Sequence, residues 1–129
     1  MDKVIINGKE FDTLFAISEE EQEKGLMYVS WPPPVMSFPF KTADIHKFWM
    51  RNTISPLDII FCVGGKVIDI CKGKPMDLTF LGPDVKIDLV VEMPSGFANK
   101  FNIKAGDSVD LKYSIGSLAK KIEHFYLKG

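Results

Sequence analysis

Residues 48–71 read FWMRNTISPLDIIFCVGGKVIDIC, and the fold turns on how that stretch is parsed. The apolar run from Leu57 to Val63 is too short for a free-standing helix. Gly64 and Gly65 can supply the positive φ angles of a two-residue turn, and Lys66 to Cys71 alternates again. The segment therefore predicts a β-hairpin. With the turn at Gly64-Gly65, Val63 falls opposite Lys66, Phe61 opposite Ile68 and Ile59 opposite Ile70. In that register Leu57, Ile59, Phe61, Val63, Ile68 and Ile70 share an apolar face. Asp58, Ile60, Cys62, Val67, Asp69 and Cys71 make the opposite, more polar one. A carboxylate then sits among apolar neighbours just after Arg51, Asn52 and Thr53, which makes this mixture the best candidate site in the chain.

Working outward toward the N-terminus, Val4 to Ile6, the pair Asn7-Gly8 and the alternation from Lys9 to Ile17 predict an opening hairpin. Ser18 followed by Glu21 is a capping box. With Glu19 and Glu20 at the positive end of the dipole and Gly25 able to close it, a short helix is expected over residues 19–25. Leu26 and Met27 leave that helix toward the core. Three consecutive prolines, Pro32 to Pro34, cannot donate to a ladder, so residues 28–47 are expected to form a long loop. Trp31, Val35, Met36, Phe38 and Phe40 would pack it over one end of the core or offer it to a partner.

Toward the C-terminus, residues 76–86 read as a second loop, and Ile87, Leu89, Val91 and Met93 alternate as a strand that Pro94 ends. Ser95 can cap a short helix over residues 96–102 that turns Phe97 and Phe101 inward. A last strand follows, with Val109, Leu111, Tyr113 and Ile115 on its inner face. Leu118, Ile122 and Phe125 then fall on one helical stripe, so residues 116–129 are expected to form an amphipathic tail outside a single domain of residues 1–115. Strands outnumber short helices, and their one-sided alternation argues for a mainly β protein, an antiparallel β-sandwich or barrel with short helices.

A chain of 129 residues can bury one core without staples, and 16 basic against 17 acidic residues, dispersed along the chain, give no nucleic-acid groove and no basic membrane surface. No apolar run approaches the roughly 20 residues of a membrane span, and residues 1–11 show no signal peptide, so a cytoplasmic or virion setting is expected. Cys62 and Cys71 share a face in the register above. They are separated there by about 13 Å at strand spacing, too far for a disulfide, and read as buried thiols. His46 and His124 have no companions at metal-ligand spacing, phosphate-binding glycine loops are missing, and no metal or cofactor is expected.

Taken together, GLM at 25–27, FWMRNTISPLDIIF at 48–61, VEMPSG at 91–96 and IKAGDSV ending at Val109 resemble domain-of-unknown-function family 192, over about residues 10–112. The resemblance implies a compact β-sandwich of jelly-roll-like topology with short helices at its ends, and no established activity. This chain departs from the family pattern at Gln22, where an arginine is usual, at VMSF in residues 35–38, in its triple proline and in its tail.

Three functional readings follow. The leading one is a non-enzymatic domain that binds a partner surface or a small polar ligand at Trp49, Arg51, Asn52, Asp58 and Glu92. The second is an accessory structural protein of a larger assembly such as a virion, contacting its partners through residues 31–40 and the tail stripe Leu118 to Phe125. The third is a carbohydrate hydrolase, since two carboxylates about 5–10 Å apart in a cleft are the minimum kit for acid-base cleavage of a glycoside. Beside these stand plainer readings: Asp58 neutralised by Arg51, Glu92 held by Asn52, Thr53 or backbone amides, Trp49 half packed in the core instead of stacking on a sugar, and Ser95 as a helix cap.

Overall fold

The structure is a computed structural model and describes residues 2–114 and Gly116; Ile115 and the predicted tail stripe lie outside the described residues. Ten elements follow in order: β1 (Lys3–Ile6), β2 (Lys9–Asp12), β3 (Leu14–Phe15), α1 (Glu19–Lys24), β4 (Met36–Asp44), β5 (Leu57–Val63), β6 (Lys66–Gly73), β7 (Ile87–Pro94), α2 (Phe97–Lys100) and β8 (Val109–Lys112). They build a three-stranded sheet, β2-β1-β8, and a five-stranded sheet, β3-β4-β7-β5-β6. All pairings are antiparallel except β3 with β4. The sheets pack face to face as a β-sandwich: Val4, Ile6, Phe11 and Val109 of the small sheet meet Ile60, Cys62, Val67, Val91 and Met93 of the large one in a single core.

The large sheet is buried on its other face as well. Ala16, Leu26, Phe38, Met50, Leu57, Ile59, Phe61 and Val90 form a second core there. It is roofed by the turn after α1, where Leu26 is buried, and by the segments on either side of the bridge between Phe48 and Leu81. This corrects the expectation of one polar face for residues 57–63: every residue from Leu57 to Cys62 is buried. Its near-continuous apolar run is the pattern of a strand covered on both sides. Asp58 still turns to the side of Ile60 and Cys62, as alternation requires, but that side is the interior of the sandwich.

The central hairpin turns at Gly64 and Gly65, with φ 58° and 76°, and Val63 pairs with Lys66 as expected. Cys62 opposite Val67 keeps that register, and beyond it the register differs. A bulge leaves Ile68 without a partner, so Phe61 faces Asp69, Ile60 faces Ile70 and Ile59 faces Cys71. An unbroken register would have set Asp69 opposite Ile60, inside the sandwich. The bulge sends Ile70 there instead, where it packs against the first core. It also moves Cys71 to the face opposite Cys62, and both thiols are free.

The largest departure concerns residues 36–44, expected to be loop and found as strand β4 between β3 and β7. Pro39 is tolerated because β3 pairs only with Met36 and Ser37, so the side of β4 that Pro39 would donate to has no strand left to receive it. Its carbonyl, pointing the same way, accepts from the Gln22 amide at 3.1 Å. The Ser18–Glu21 capping box and α1 match expectation, and the opening hairpin forms with Ile6 opposite Lys9. Its second arm, expected to run from Lys9 to Ile17, stops at Asp12, and Leu14–Phe15 cross to the other sheet as β3 beside β4. The second helix starts differently. Gly96, not Ser95, is its N-cap, and no side chain of its own caps it.

Candidate functional site

The five predicted site residues fall into two separate places. Ile59 pairs with Glu92 and Asp58 with Met93, so the side chains of Asp58 and Glu92 leave the five-stranded sheet on opposite faces. On opposite faces of one sheet the two carboxyls do not form the paired-carboxylate arrangement of a glycosidase among the described residues.

Asp58 faces the sandwich interior and is fully buried. Its Oδ2 accepts from the backbone N–H of Gly96 at 3.1 Å and of Ala98 at 2.9 Å, closing the first turn of α2. The cap that sequence assigned to Ser95 is thus supplied from 38 residues earlier in the chain. Oδ1 is buried with no hydrogen-bond partner among the described residues; Lys72 Nζ lies 3.8 Å away on a side chain that is 78% exposed, and Arg51 is not its counter-ion. Asp58 is committed to architecture.

Glu92 faces the second core and is 4% exposed. Among the described residues no donor reaches its carboxyl, neither Asn52 nor Thr53 nor a backbone amide; Thr53 instead donates to the Arg51 carbonyl at 3.0 Å. Burial without compensation pushes its acid up to about 8, so it is mostly protonated at neutral pH. The carboxyl lines a cavity of about 260 Å³ that also takes in Gly25, Leu26, Phe38, Phe40, His46, Phe48, Trp49 and Arg51.

Each wall has a local cause. Gly25 closes α1 with φ 48°, and a Cβ at that position would sit 3.4 Å from the Phe38 ring and 3.7 Å from Glu92 Oε1. Only glycine both turns there and leaves the space open. Phe38 and Phe48 meet edge to face at 5.0 Å, and Phe48 continues the contact to Phe61 at 5.9 Å. His46 stacks on Phe40 at 3.7 Å. Desolvation holds its imidazole below the ordinary value, and its Nε2 is buried with no hydrogen-bond partner among the described residues.

Trp49 is half-buried, with Phe80 stacked on its ring at 5.2 Å and the Arg51 guanidinium 5.5 Å from its centroid. Those neighbours already occupy the ring that sequence offered to a sugar. Asn52 stands just outside the cavity in a left-handed turn at φ 53°, its carbonyl accepting from Tyr28 N–H at 2.8 Å. Lys24, Phe38, Phe40 and Phe48 were not singled out as site residues by sequence reasoning. The signal that could have found Phe38 and Phe40 was the FPF alternation at residues 38–40, masked by Pro39.

The family model described as Uncharacterized ACR matches residues 3–111. The chain belongs to domain-of-unknown-function family 192. A solved protein of unknown function from Novosphingobium aromaticivorans is similar to this family 192 chain at 34% identity. The match covers 84% of this chain and 83% of that one, with a TM-score of 0.78. A candidate transcription regulator from Sinorhizobium meliloti shares the fold at 23% identity, with 85% and 91% covered and a TM-score of 0.77. No curated protein matches. In this family 192 chain Gln22, where the family pattern has an arginine, spends its amide on the carbonyls of Ala16 and Pro39, both at 3.1 Å. Among the described residues no helix is long and apolar enough to cross a membrane, and no group of ligating side chains could hold a metal ion.

Proposed function

We propose that this domain is a binding module that receives a small ligand in the cavity beneath α1, with Glu92 as the recognising group at its base. The observation that carries the reading is that Glu92, which no donor reaches among the described residues, lines the cavity, whereas Asp58, whose Oδ1 is also buried without a hydrogen bond, faces the sandwich interior. A buried polar group without a hydrogen bond costs roughly 1–3 kcal/mol, and folded proteins keep few of them. Strongly shifted acids in hollows are concentrated at functional positions. A ligand able to hydrogen-bond Glu92 would recover that cost while burying its body against Phe38, Phe40 and Phe48.

The test is a fragment screen on the full chain, uniformly labelled with nitrogen-15 and followed by amide NMR. Binding in the cavity moves the resonances of Gly25, Phe40, Phe48 and Trp49, and Glu92→Met, which fills the space with an apolar chain of similar length, abolishes those shifts while the protein stays folded. Hits confined to surfaces away from these residues, or an unchanged response in the variant, would remove the reading.

A further inference from the structure

Resting on that reading, we infer that the ligand is a small amphipathic anion. Its carboxylate or phosphate would lie at the Arg51 and Lys24 mouth, its body would be a ring or short branched chain, and an oxygen at its far end would meet Glu92. The argument is the ordering of chemistry by depth. At the floor are Glu92, Phe38 and Leu26, all buried; Phe40, Phe48 and Trp49 follow, half-buried; Lys24, Lys47, Arg51 and Glu23 are exposed at the rim.

Rim charge selects the sign of the ligand. Three cations and Glu23 line the rim, Glu20 stands in the adjoining hollow beside Lys24 and Arg51, and Lys47 is already engaged by Asp84 at 2.7 Å and by the Gly82 carbonyl at 2.6 Å. Arg51 and Lys24 have no carboxylate partner within salt-bridge distance among the described residues. The Arg51 guanidinium lies 5.5 Å from the Trp49 ring centroid, and an arginine there can take a carboxylate with two parallel hydrogen bonds.

The floor selects the other end. A protonated Glu92 has one O–H to give and lone pairs to receive, so it matches a hydroxyl or carbonyl, whereas an amine would have to pass the cationic rim. Size sets the body. An apolar cavity of about 150 Å³ holds a benzene, so 260 Å³ holds on the order of ten heavy atoms.

The experiment compares three probes with one body: 4-hydroxybenzoate, 4-hydroxybenzyl alcohol and 4-hydroxybenzylamine, titrated into the full chain at pH 6.5 by calorimetry and amide NMR. The acid should bind at least tenfold tighter than either relative and move the cavity resonances. Arg51→Gln, a change at an exposed side chain, should bring the acid to the affinity of the alcohol and leave the alcohol unaffected. Lys24→Gln should act in the same direction with a smaller loss. Tightest binding by the amine, equal affinities, indifference to Arg51→Gln, or no binding by any of the three would overturn the assignment. The cavity reading itself would then stand or fall on the fragment screen, where hits at Gly25 and Phe48 keep it.

Discussion

Two carboxylates lie one residue out of step on neighbouring strands of a single sheet, and they have opposite fates. Asp58 turns into the sandwich, where two backbone N–H groups of α2 hold its Oδ2 and the nearest cation to Oδ1 is a largely exposed lysine at 3.8 Å. Glu92 turns to the roofed face, where nothing among the described residues meets it and burial raises its acid to about 8. Burial is nearly equal, so depth alone does not tell a structural acid from a candidate functional one. What separates them is that two N–H donors of α2 reach Oδ2 of Asp58, although its Oδ1 has none, whereas no donor among the described residues reaches either oxygen of Glu92.

The contrast is broken most severely by pH. Glu92 has a folded value near 8 against an ordinary 4.5, so between these limits the native state holds a proton that the unfolded chain has released. Its contribution is fully present below the lower limit, falls by about 1.4 kcal/mol per pH unit above it, and is gone once pH passes the folded value. Urea denaturation from pH 5 to 9 should show that decline, and Glu92→Gln should flatten it. A wild type and variant with parallel profiles would mean that Glu92 carries its charge in the fold.

Asp58→Ala should come next, lowering stability by about 3 kcal/mol at neutral pH through loss of two charge-assisted hydrogen bonds at α2. Chemical denaturation measures it. A loss under 1 kcal/mol would show that water caps α2 equally well. Removing Lys72 should matter little, because an exposed ammonium at 3.8 Å contributes weakly.

The sequence made half of this contrast readable. Alternation placed Asp58 with Ile60 and Cys62, and the turns at Gly64-Gly65 and Asn7-Gly8 and the capping box follow from short-range rules that tertiary packing did not override, whereas the alternation from Lys9 to Ile17 is split between the two sheets after Asp12. The site did not follow. Strand β4 carries Pro39 and comes after three prolines, signals that favour loop unless one knows that β3 stops at Phe15 and leaves that edge unpaired. Without β4, the walls Phe38 and Phe40 had no address. The bulge at Ile68 was equally hidden, since it answers to the need to keep Asp69 out of the space between two sheets, a need that exists only once both sheets are in place. Putting Asp58 and Glu92 in one site failed because two strands were read correctly and their mutual register was not.

Two smaller effects sharpen the comparison on the Glu92 side. Gly25→Ala should cost about 2 kcal/mol, from a Cβ held at positive φ against the Phe38 ring, and should weaken any ligand of the cavity. Thermal unfolding and the fragment shifts read the two consequences together; an alanine variant as stable as wild type would mean α1 can lift away from the sheet. Ser18→Ala at the other end of α1 should cost about 1 kcal/mol with the cavity unaffected. A matching loss of ligand response there would mean that the whole helix, not its glycine, shapes the hollow.

The most direct measurement is the titration of the Glu92 carboxyl itself, followed by carbon-detected NMR of the side-chain carboxyl carbon and assigned by its disappearance in Glu92→Gln. A midpoint near 8 is the result the unpartnered acid requires. A midpoint near the ordinary glutamate value of 4.5 would show that donors or water reach the group, and the distinction between the two faces of the sheet would be gone.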